Sequence, residues 1–196
     1  MPETDSHRAE WHEHLRVAAD SEALLPTIER LADRLCEALG RGGKLIVFGN
    51  GGSAADAQHF AGELLGRFRA TRRPLPAIAL TTDPSVVTCI ANDFSYEDIF
   101  ARQVAALAEP NDVVVGITTS GRSENVVRGL RAAAERGALT VAWTGADAGP
   151  AGEAAEIVLA VPSATTARIQ EMHTLAMHTI CVAIDDWVVT TGGGGA

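Results

Sequence analysis

Five short, almost wholly apolar runs limit what this chain can fold into more than any other feature of it. They are KLIVF at 44–48, Ala77 to Leu80, Val113 to Ile117, Leu139 to Trp143 and Ile157 to Val161. None alternates apolar with polar residues, so each suits a strand buried on both faces, as in a parallel sheet, better than a hairpin strand with one wet face. The stretches between them are long enough for crossover helices. Ahead of the first run, from about Arg8 to Leu39, Trp11, Leu15, Ala18, Leu24, Leu25, Ile28, Leu31, Leu35 and Leu39 recur at spacings of three and four, with Pro26 splitting the series. That predicts two amphipathic helices, or one with a break. A last periodic stretch, about Ala167 to Val189, predicts a helix that closes the domain. The expected fold class is α/β: a three-layer α/β/α sandwich around a five-stranded parallel sheet, with an N-terminal helical extension. One domain is expected over 1–196, with the extension at 1–40, the α/β core at 41–190 and a frayed glycine tail at 191–196.

Charge and cysteine content remove several classes of function. Lys and Arg number 16 against 25 Asp and Glu, and 16 − 25 = −9 with histidines neutral. With 46% hydrophobic and 21% charged residues, a sizeable core is expected and wholesale disorder is excluded. The acidic balance argues against nucleic acid as a partner, since that affinity comes largely from Lys and Arg neutralising phosphates. Cys36, Cys89 and Cys181 are far apart and form no C-x-x-C pair, so neither a disulfide framework nor a thiolate zinc site is indicated. No apolar run approaches the roughly 18 residues of a membrane span, and MPETDSHRAEWHEHLR lacks the apolar core of a signal peptide. A soluble, cytoplasmic protein with no membrane partner is expected.

In a parallel sheet, ligands sit beyond the carboxyl ends of the strands, where loops lead into helix N-termini. Two such loops differ from ordinary turns. Asn50, Gly51, Gly52 and Ser53 follow the first run; Thr118, Thr119, Ser120 and Ser123, around Gly121, follow the third. The first loop lacks bulk and offers backbone N–H groups at a helix start, where unpaired donors and the dipole favour an anion. The second adds four hydroxyls, and together they can hold a phosphate without lysine. Either loop alone reads as well as a set of caps and turns. Their convergence on one sheet edge is what favours binding. Neither has the Gly-Lys-Ser/Thr ending of a nucleotide P-loop or the G-x-G-x-x-G of dinucleotide binders, so nucleotide use is unsupported.

The helix after the first loop carries Asp56, His59, Glu63 and Arg67, the last three four residues apart and so on one face. Such a histidine and carboxylate can share a metal; they also read as a surface ion ladder. The closing helix adds Gln170, His173 and His178 among apolar residues, as ligands or as satisfied core side chains.

GNGGSAADAQHFAGELLGRF at 49–68, AND at 91–93, TTSGRS at 118–123 and RIQEMHTLAMH at 168–178 resemble, in this order, the sedoheptulose 7-phosphate isomerases, or phosphoheptose isomerases, of the sugar-isomerase (SIS) superfamily. The likeness covers the whole chain apart from its glycine tail. It implies the flavodoxin-like SIS fold, a zinc ion, and a homotetramer with active sites at subunit interfaces, the N-terminal helices serving oligomerisation. It implies that His59, Glu63, Gln170 and His178 hold the zinc and that Glu63 and His178 are the catalytic acid/base pair. Asn50, Gly51, Gly52, Ser53, Thr118, Thr119, Ser120 and Ser123 would hold the phosphate and nearby hydroxyls of a sugar phosphate. Asn92 and Asp93, with Arg67, would meet its polyol chain, and Glu63 and Gln170 would also touch substrate. Two positions depart from the family pattern: Thr118 stands where Ser is usual, keeping the hydroxyl but adding a methyl group, and Phe94 where some members carry Tyr.

The implied reaction is conversion of sedoheptulose 7-phosphate to D-glycero-D-manno-heptose 7-phosphate through an enediol, in heptose biosynthesis. The competing readings are a non-catalytic SIS module that binds a replication initiator or senses a sugar phosphate, and an isomerase of another sugar phosphate. Glu63, His178 and Ser120 favour an enzyme, since the initiator-binding relatives lack the first two and carry a bulkier third. One geometric tension is visible in advance. Gln170 and His178 are eight residues apart, about 12 Å of rise in a continuous helix. Both can serve one ion only if Gln170 leans from a frayed helix start, or if they serve sites in different subunits. His173, between them, is assigned to packing or to a subunit interface.

Overall fold

The computed structural model describes residues 3–191, with side chains from residue 5. The glycine-rich end, from Gly192 onward, lies outside the described residues. The N-terminal stretch forms α1 (Glu3–Asp20) and α2 (Leu25–Gly40), joined by a single 3-10 turn (Ser21–Leu24). Pro26 sits in the first turn of α2, where its missing N–H costs no helical bond, so it marks the start of a helix and does not kink one.

All five apolar runs are strands: β1 (Leu45–Gly49), β2 (Ala77–Ala79), β3 (Val113–Ile117), β4 (Leu139–Thr144) and β5 (Ile157–Ala160). Between them run α3 (Gly52–Leu65), α4 (Pro84–Asp93), α5 (Ala101–Leu107), α6 (Glu124–Glu135) and α7 (Gly149–Glu153). The closing helix is α8 (Thr166–Thr190), one residue longer at each end than its apolar period suggests. The sheet is parallel throughout, in the order β2-β1-β3-β4-β5. From β1 the chain winds outward to β2, then returns to build the rest on the other side of β1. The order therefore reverses between β1 and β3, which pair directly with Gly49 opposite Ile117. A crevice at such a reversal is where open α/β sheets bind ligands.

Both faces of the sheet are dry, as the almost wholly apolar strands require. Leu45 and Val47 point toward α2, α3 and α8, joining Leu31, Leu35, Phe60, Met177 and Ile184. Ile46 and Phe48 point the other way, joining Phe100, Val104, Val126 and Leu130. On this second face α6 lies close to the strands because two glycines allow it: a Cβ on Gly129 would stand 2.6 Å from the Phe48 ring, and one on Gly116 would stand 2.9 Å from Val126. The N-terminal extension is pinned to α8 by polar contacts. His14 Nδ1 meets Glu171 at 2.8 Å, Thr165 donates to Glu13 at 3.0 Å, and the buried Arg168 donates to the Glu10 carbonyl and to Glu171.

The segment leaving α3 is held by a buried ion pair that the sequence pattern does not announce. Arg72 Nε donates to Asp185 Oδ1 at 2.8 Å, with side chains 1% and 6% exposed. The remaining guanidinium nitrogens bind the carbonyls of Glu63 (2.7 Å), Leu64 (2.9 Å) and Arg73 (3.1 Å). Arg72 thus satisfies two of the carbonyls that the end of α3 leaves without helical partners. Asp185, on α8, also accepts from the N–H groups of Arg69 and Ala70, each at 2.8 Å. Burial works against its charge, but the bonds from Ala70, Arg72 and Arg69 outweigh it and hold the carboxyl below the usual carboxylate range.

Asp185→Ala is expected to cost about 3–5 kcal/mol of stability by leaving the Arg72 charge buried and unpaired, measured as a shift in the urea midpoint. Because the folded-state pKa is depressed, the wild-type carboxylate contributes stability that is present above the unfolded value of about 3.9 and lost as pH falls through the folded one. The wild-type advantage over the variant should therefore shrink below about pH 4.

Candidate active site

The two loops singled out above meet at the β1/β3 junction. Gly51, with φ of +55°, turns the chain into α3, where Ser53 is buried in the first turn. Across the crevice, Thr118 is buried, and its hydroxyl lies 3.0 Å from that of Ser123 and 3.4 Å from that of Ser120. Ser123 precedes α6 but does not cap it with its side chain; its hydroxyl faces Thr118 instead. The first turn of α6 thus keeps N–H donors that no side chain caps, beside three clustered hydroxyls, an arrangement suited to an anion. Thr119 contributes its carbonyl to the loop after β4, accepting from Gly145 at 3.1 Å. Gly121, with φ of +67°, packs so closely on Ala148 of that loop that no side chain could be placed there.

Asn50 links the two loops. Its carboxamide exchanges two hydrogen bonds, each 2.9 Å, with that of Asn125, and its Oδ1 accepts a third at 2.9 Å from the Tyr96 hydroxyl. Asn125, buried in the first turn of α6, was not singled out from sequence. The available signal was an amide two residues after Ser123, at the start of an otherwise apolar helix face. Tyr96 had none, because its partner lies 46 residues away.

Helices α3 and α8 run side by side, and their contacts advance in step. The Gln170 carboxamide lies against Gly52, where a Cβ would collide with it. Thr174 donates to Asp56 at 3.1 Å. One turn further on, His178 Nε2 is 3.5 Å from His59 Nε2, which is 3.0 Å from Glu63 Oε1. The ligand atoms of His59, Glu63 and His178 all lie within 4.8 Å of one another. The His178 ring stacks on Phe68 with centroids 5.4 Å apart, which fixes the plane of the imidazole. Two nitrogens and a carboxylate oxygen converging in this way match the donor set of a borderline-soft divalent cation such as zinc, with positions left open.

The fold changes two expectations, for Arg67 and Gln170, and locates a further pair, Asn92 and Asp93. Arg67 does not share the helical face of His59 and Glu63: α3 ends at Leu65, Gly66 leaves helical geometry, and the Arg67 guanidinium bonds the Arg69 carbonyl at 3.5 Å. Gln170 stands in the second turn of a continuous α8, which removes the frayed-start geometry, and within one chain it sits at the glycine loop, two turns from His178. Asn92 and Asp93 end α4, exposed and hydrogen-bonded to each other at 2.8 Å, and neither donates to or accepts from the two loops among the described residues. Phe94 is exposed, with the Arg102 guanidinium 3.6 Å over its ring.

His173 falls on the packing side of its two readings. It is fully buried, donates from Nε2 to the Thr144 carbonyl at 3.1 Å, and burial pushes its pKa down to about 4. The folded protein therefore carries it neutral while the unfolded chain takes up its proton near pH 6.5. Stability should fall by about 3 kcal/mol as pH drops from 6.5 toward 4, and His173→Gln should flatten that limb of a denaturation-versus-pH curve.

A doubly wound parallel sheet with clustered hydroxyls at its switch point and a histidine–carboxylate cluster beside it defines an open α/β protein with a candidate anion site, and residues 12–145 match the model of the SIS domain family. Over 177 residues the chain is 49% identical to a phosphoheptose isomerase of Campylobacter jejuni, covering 90% of this chain and 95% of that one. Its fold superimposes on a phosphoheptose isomerase structure from Neisseria gonorrhoeae with a TM-score of 0.89 at 41% identity, covering 93% and 98% of the two chains. For a Francisella tularensis phosphoheptose isomerase the TM-score is 0.92 at 38% identity, covering 95% and 100%. The chain belongs to the phosphoheptose isomerase family of SIS-domain proteins.

Proposed function

We propose that this chain interconverts sedoheptulose 7-phosphate and D-glycero-D-manno-heptose 7-phosphate, and that the meeting of Glu63 with His178 across the α3/α8 seam is the centre of that chemistry. Moving a carbonyl from C2 to C1 requires a base over carbon and an acid at the oxygens. In the ketose-to-aldose direction the Glu63 carboxylate takes a proton from C1 while His178 gives one to the C2 oxygen, which yields the enediol. The O1 proton then leaves to His178, the C1 carbonyl forms, and Glu63 returns its proton to C2. The phosphate sits among the hydroxyls of Thr118, Ser120 and Ser123, the N–H groups of Gly51 and Gly52 and the Asn50 carboxamide, with Ser53, whose own N–H donates to the Asn50 carbonyl, closing the turn behind them. His59 lies seven residues into the helix from Gly52, about 10 Å of rise, of the order of an extended seven-carbon chain. Anchoring one end of the sugar thus places C1 and C2 at the other, so that binding energy is converted into orientation.

His59, Glu63 and His178 would hold a zinc ion, with Gln170 joining from a neighbouring subunit, since within its own chain it faces the glycine loop. When bound, zinc supplies a Lewis acid for the substrate oxygens. The surface beside this cluster supports an interface with a second copy of the chain. A groove of about 600 Å³ lined by Ile28, Phe68, Leu175, His178 and Val182 runs along α2 and α8, and Leu175 is half exposed. The reading is a homotetramer with its sites at subunit interfaces, the α1 and α2 helices forming part of the contact in one domain. No helix of the described residues is long and apolar enough to cross a membrane, in keeping with a cytoplasmic location.

Incubation with sedoheptulose 7-phosphate should yield an aldoheptose phosphate, detected by mass-resolved chromatography after derivatising the aldehyde. Glu63→Gln, which keeps the shape and removes the base, should lower turnover by about 10²- to 10⁴-fold with an unchanged melting temperature. No turnover by the wild-type chain, with binding of the sugar phosphate intact, would return it to the sensing class. A chelator should lower the rate by more than about tenfold, and added Zn²⁺ should restore it. A rate that survives chelation while the melting temperature falls would assign the ion to tethering the helices.

A further inference from the structure

The bond between Tyr96 and Asn50 joins two parts of the chain that the sheet does not bring together. Tyr96, the single tyrosine, opens the 3-10 turn Tyr96–Asp98, three residues after Asp93. Its ring is 55% exposed, yet its hydroxyl is engaged, donating to Asn50 Oδ1. Ser95 donates to Asp98 at 2.7 Å, Asp98 accepts from Arg128 at 2.9 Å, and Arg128 also binds Glu124 at 2.8 Å. Since Glu124 and Arg128 belong to α6, the turn is fastened to the helix whose first turn forms one wall of the cradle, while its tyrosine reaches the opposite wall.

What the hydroxyl adds follows from the symmetry of the amide pair. Asn50 and Asn125 each give one N–H and take one, so turning both carboxamides over would restore the same two bonds. A phenol donates more strongly than it accepts, so Tyr96 favours the orientation in which Asn50 presents Oδ1 to it. In that orientation Asn50 Nδ2 has given one hydrogen to Asn125 and keeps its second for an incoming oxygen.

We propose that Tyr96 is a positioning residue for sugar-phosphate binding: its hydroxyl sets the orientation of the Asn50 carboxamide and ties the Asn92–Asp93 segment to the phosphate cradle. The proposal rests on the reading of the cradle given above, with Asn50 a contact to the phosphate end of the substrate. When one neutral contact at that end is weakened, the remaining phosphate donors still anchor the sugar and keep C1 and C2 oriented, so the loss falls on ground state and transition state alike. Such a loss raises KM and leaves kcat, whereas a merely structural role would lower the melting temperature and leave KM.

The test is steady-state kinetics with sedoheptulose 7-phosphate on the wild type, Tyr96→Phe, Asn50→Ala and the double variant. Tyr96→Phe should raise KM about three- to tenfold, the range for one neutral hydrogen bond, with kcat within about twofold and the melting temperature unchanged. In the Asn50→Ala background the same change should have no further effect, because Tyr96 acts through Asn50. A KM unchanged by Tyr96→Phe, or effects that multiply in the double variant, would overturn the proposal while leaving the isomerase reading intact. If the wild type does not turn the sugar over, the isomerase reading fails and the positioning role is decided by binding. With 3-fluorotyrosine at the single tyrosine, titration with inorganic phosphate should shift the fluorine resonance saturably, and Asn50→Ala should abolish the shift. A resonance indifferent to phosphate overturns it.

Discussion

The site depends on α3 and α8 lying parallel and in register, and the buried Arg72–Asp185 pair is the fastening that holds them so. Without the guanidinium, the Glu63 carbonyl at the end of α3 would lose its side-chain partner, and the returning chain would be tied to α8 at this point by two backbone N–H groups alone. Its geometry is demanding, since one guanidinium serves a carboxylate and three carbonyls at once. A buried ion pair of this kind is weak as a source of net stability but strong as a determinant of arrangement, because every displaced alternative strands a charge. Glu63 supplies one of those carbonyls through its backbone while its side chain faces His59, so the fastening and the histidine–carboxylate cluster share a residue.

A second constraint works at the other end of the same helix. The switch in strand order puts the ends of β1 and β3 next to each other, and two hydroxyl-bearing loops become two walls of one crevice. Asn50, Asn125 and Tyr96 then brace those walls through a reciprocal amide pair and a phenol hydrogen bond. Rigid support of this sort suits an anion site built from neutral donors, where the alignment of small dipoles has to do what a lysine would otherwise do by charge. The two ends of α3 thus divide the site: its N-terminus borders the cluster of small and hydroxyl-bearing residues, and its later turns carry His59 and Glu63, which with His178 could hold a metal ion.

Much of this was legible in the residues. The five apolar runs became five strands within a residue or so, because a strand buried on both faces is built almost wholly from apolar residues, Thr140 and Thr144 of β4 being hydrogen-bonded exceptions. The glycine and hydroxyl loops were recognisable because backbone N–H groups can be offered to a ligand only where side chains are small or short. His59 and Glu63 were paired by helical spacing alone. Arg67 was misplaced for a local reason, since the same spacing was carried past Gly66, where the helix stops. Asn125, Tyr96, Arg72 and Asp185 carry no comparable signal: each is an ordinary polar residue until its partner, tens of residues distant, is set beside it.

The sequence by itself determined the periods: which segments are strands, which are helices, and which loops are free of bulk, since these follow from side-chain shape and from the burial of apolar surface along the chain. Only the tertiary structure decided which helix faces which, that Gln170 meets Gly52 while His178 meets His59, and that a buried arginine fastens the two helices. Those outcomes depend on pairings between segments far apart in the chain. Such pairings arise from the collective need to satisfy every buried polar group at once, a condition that no local pattern encodes.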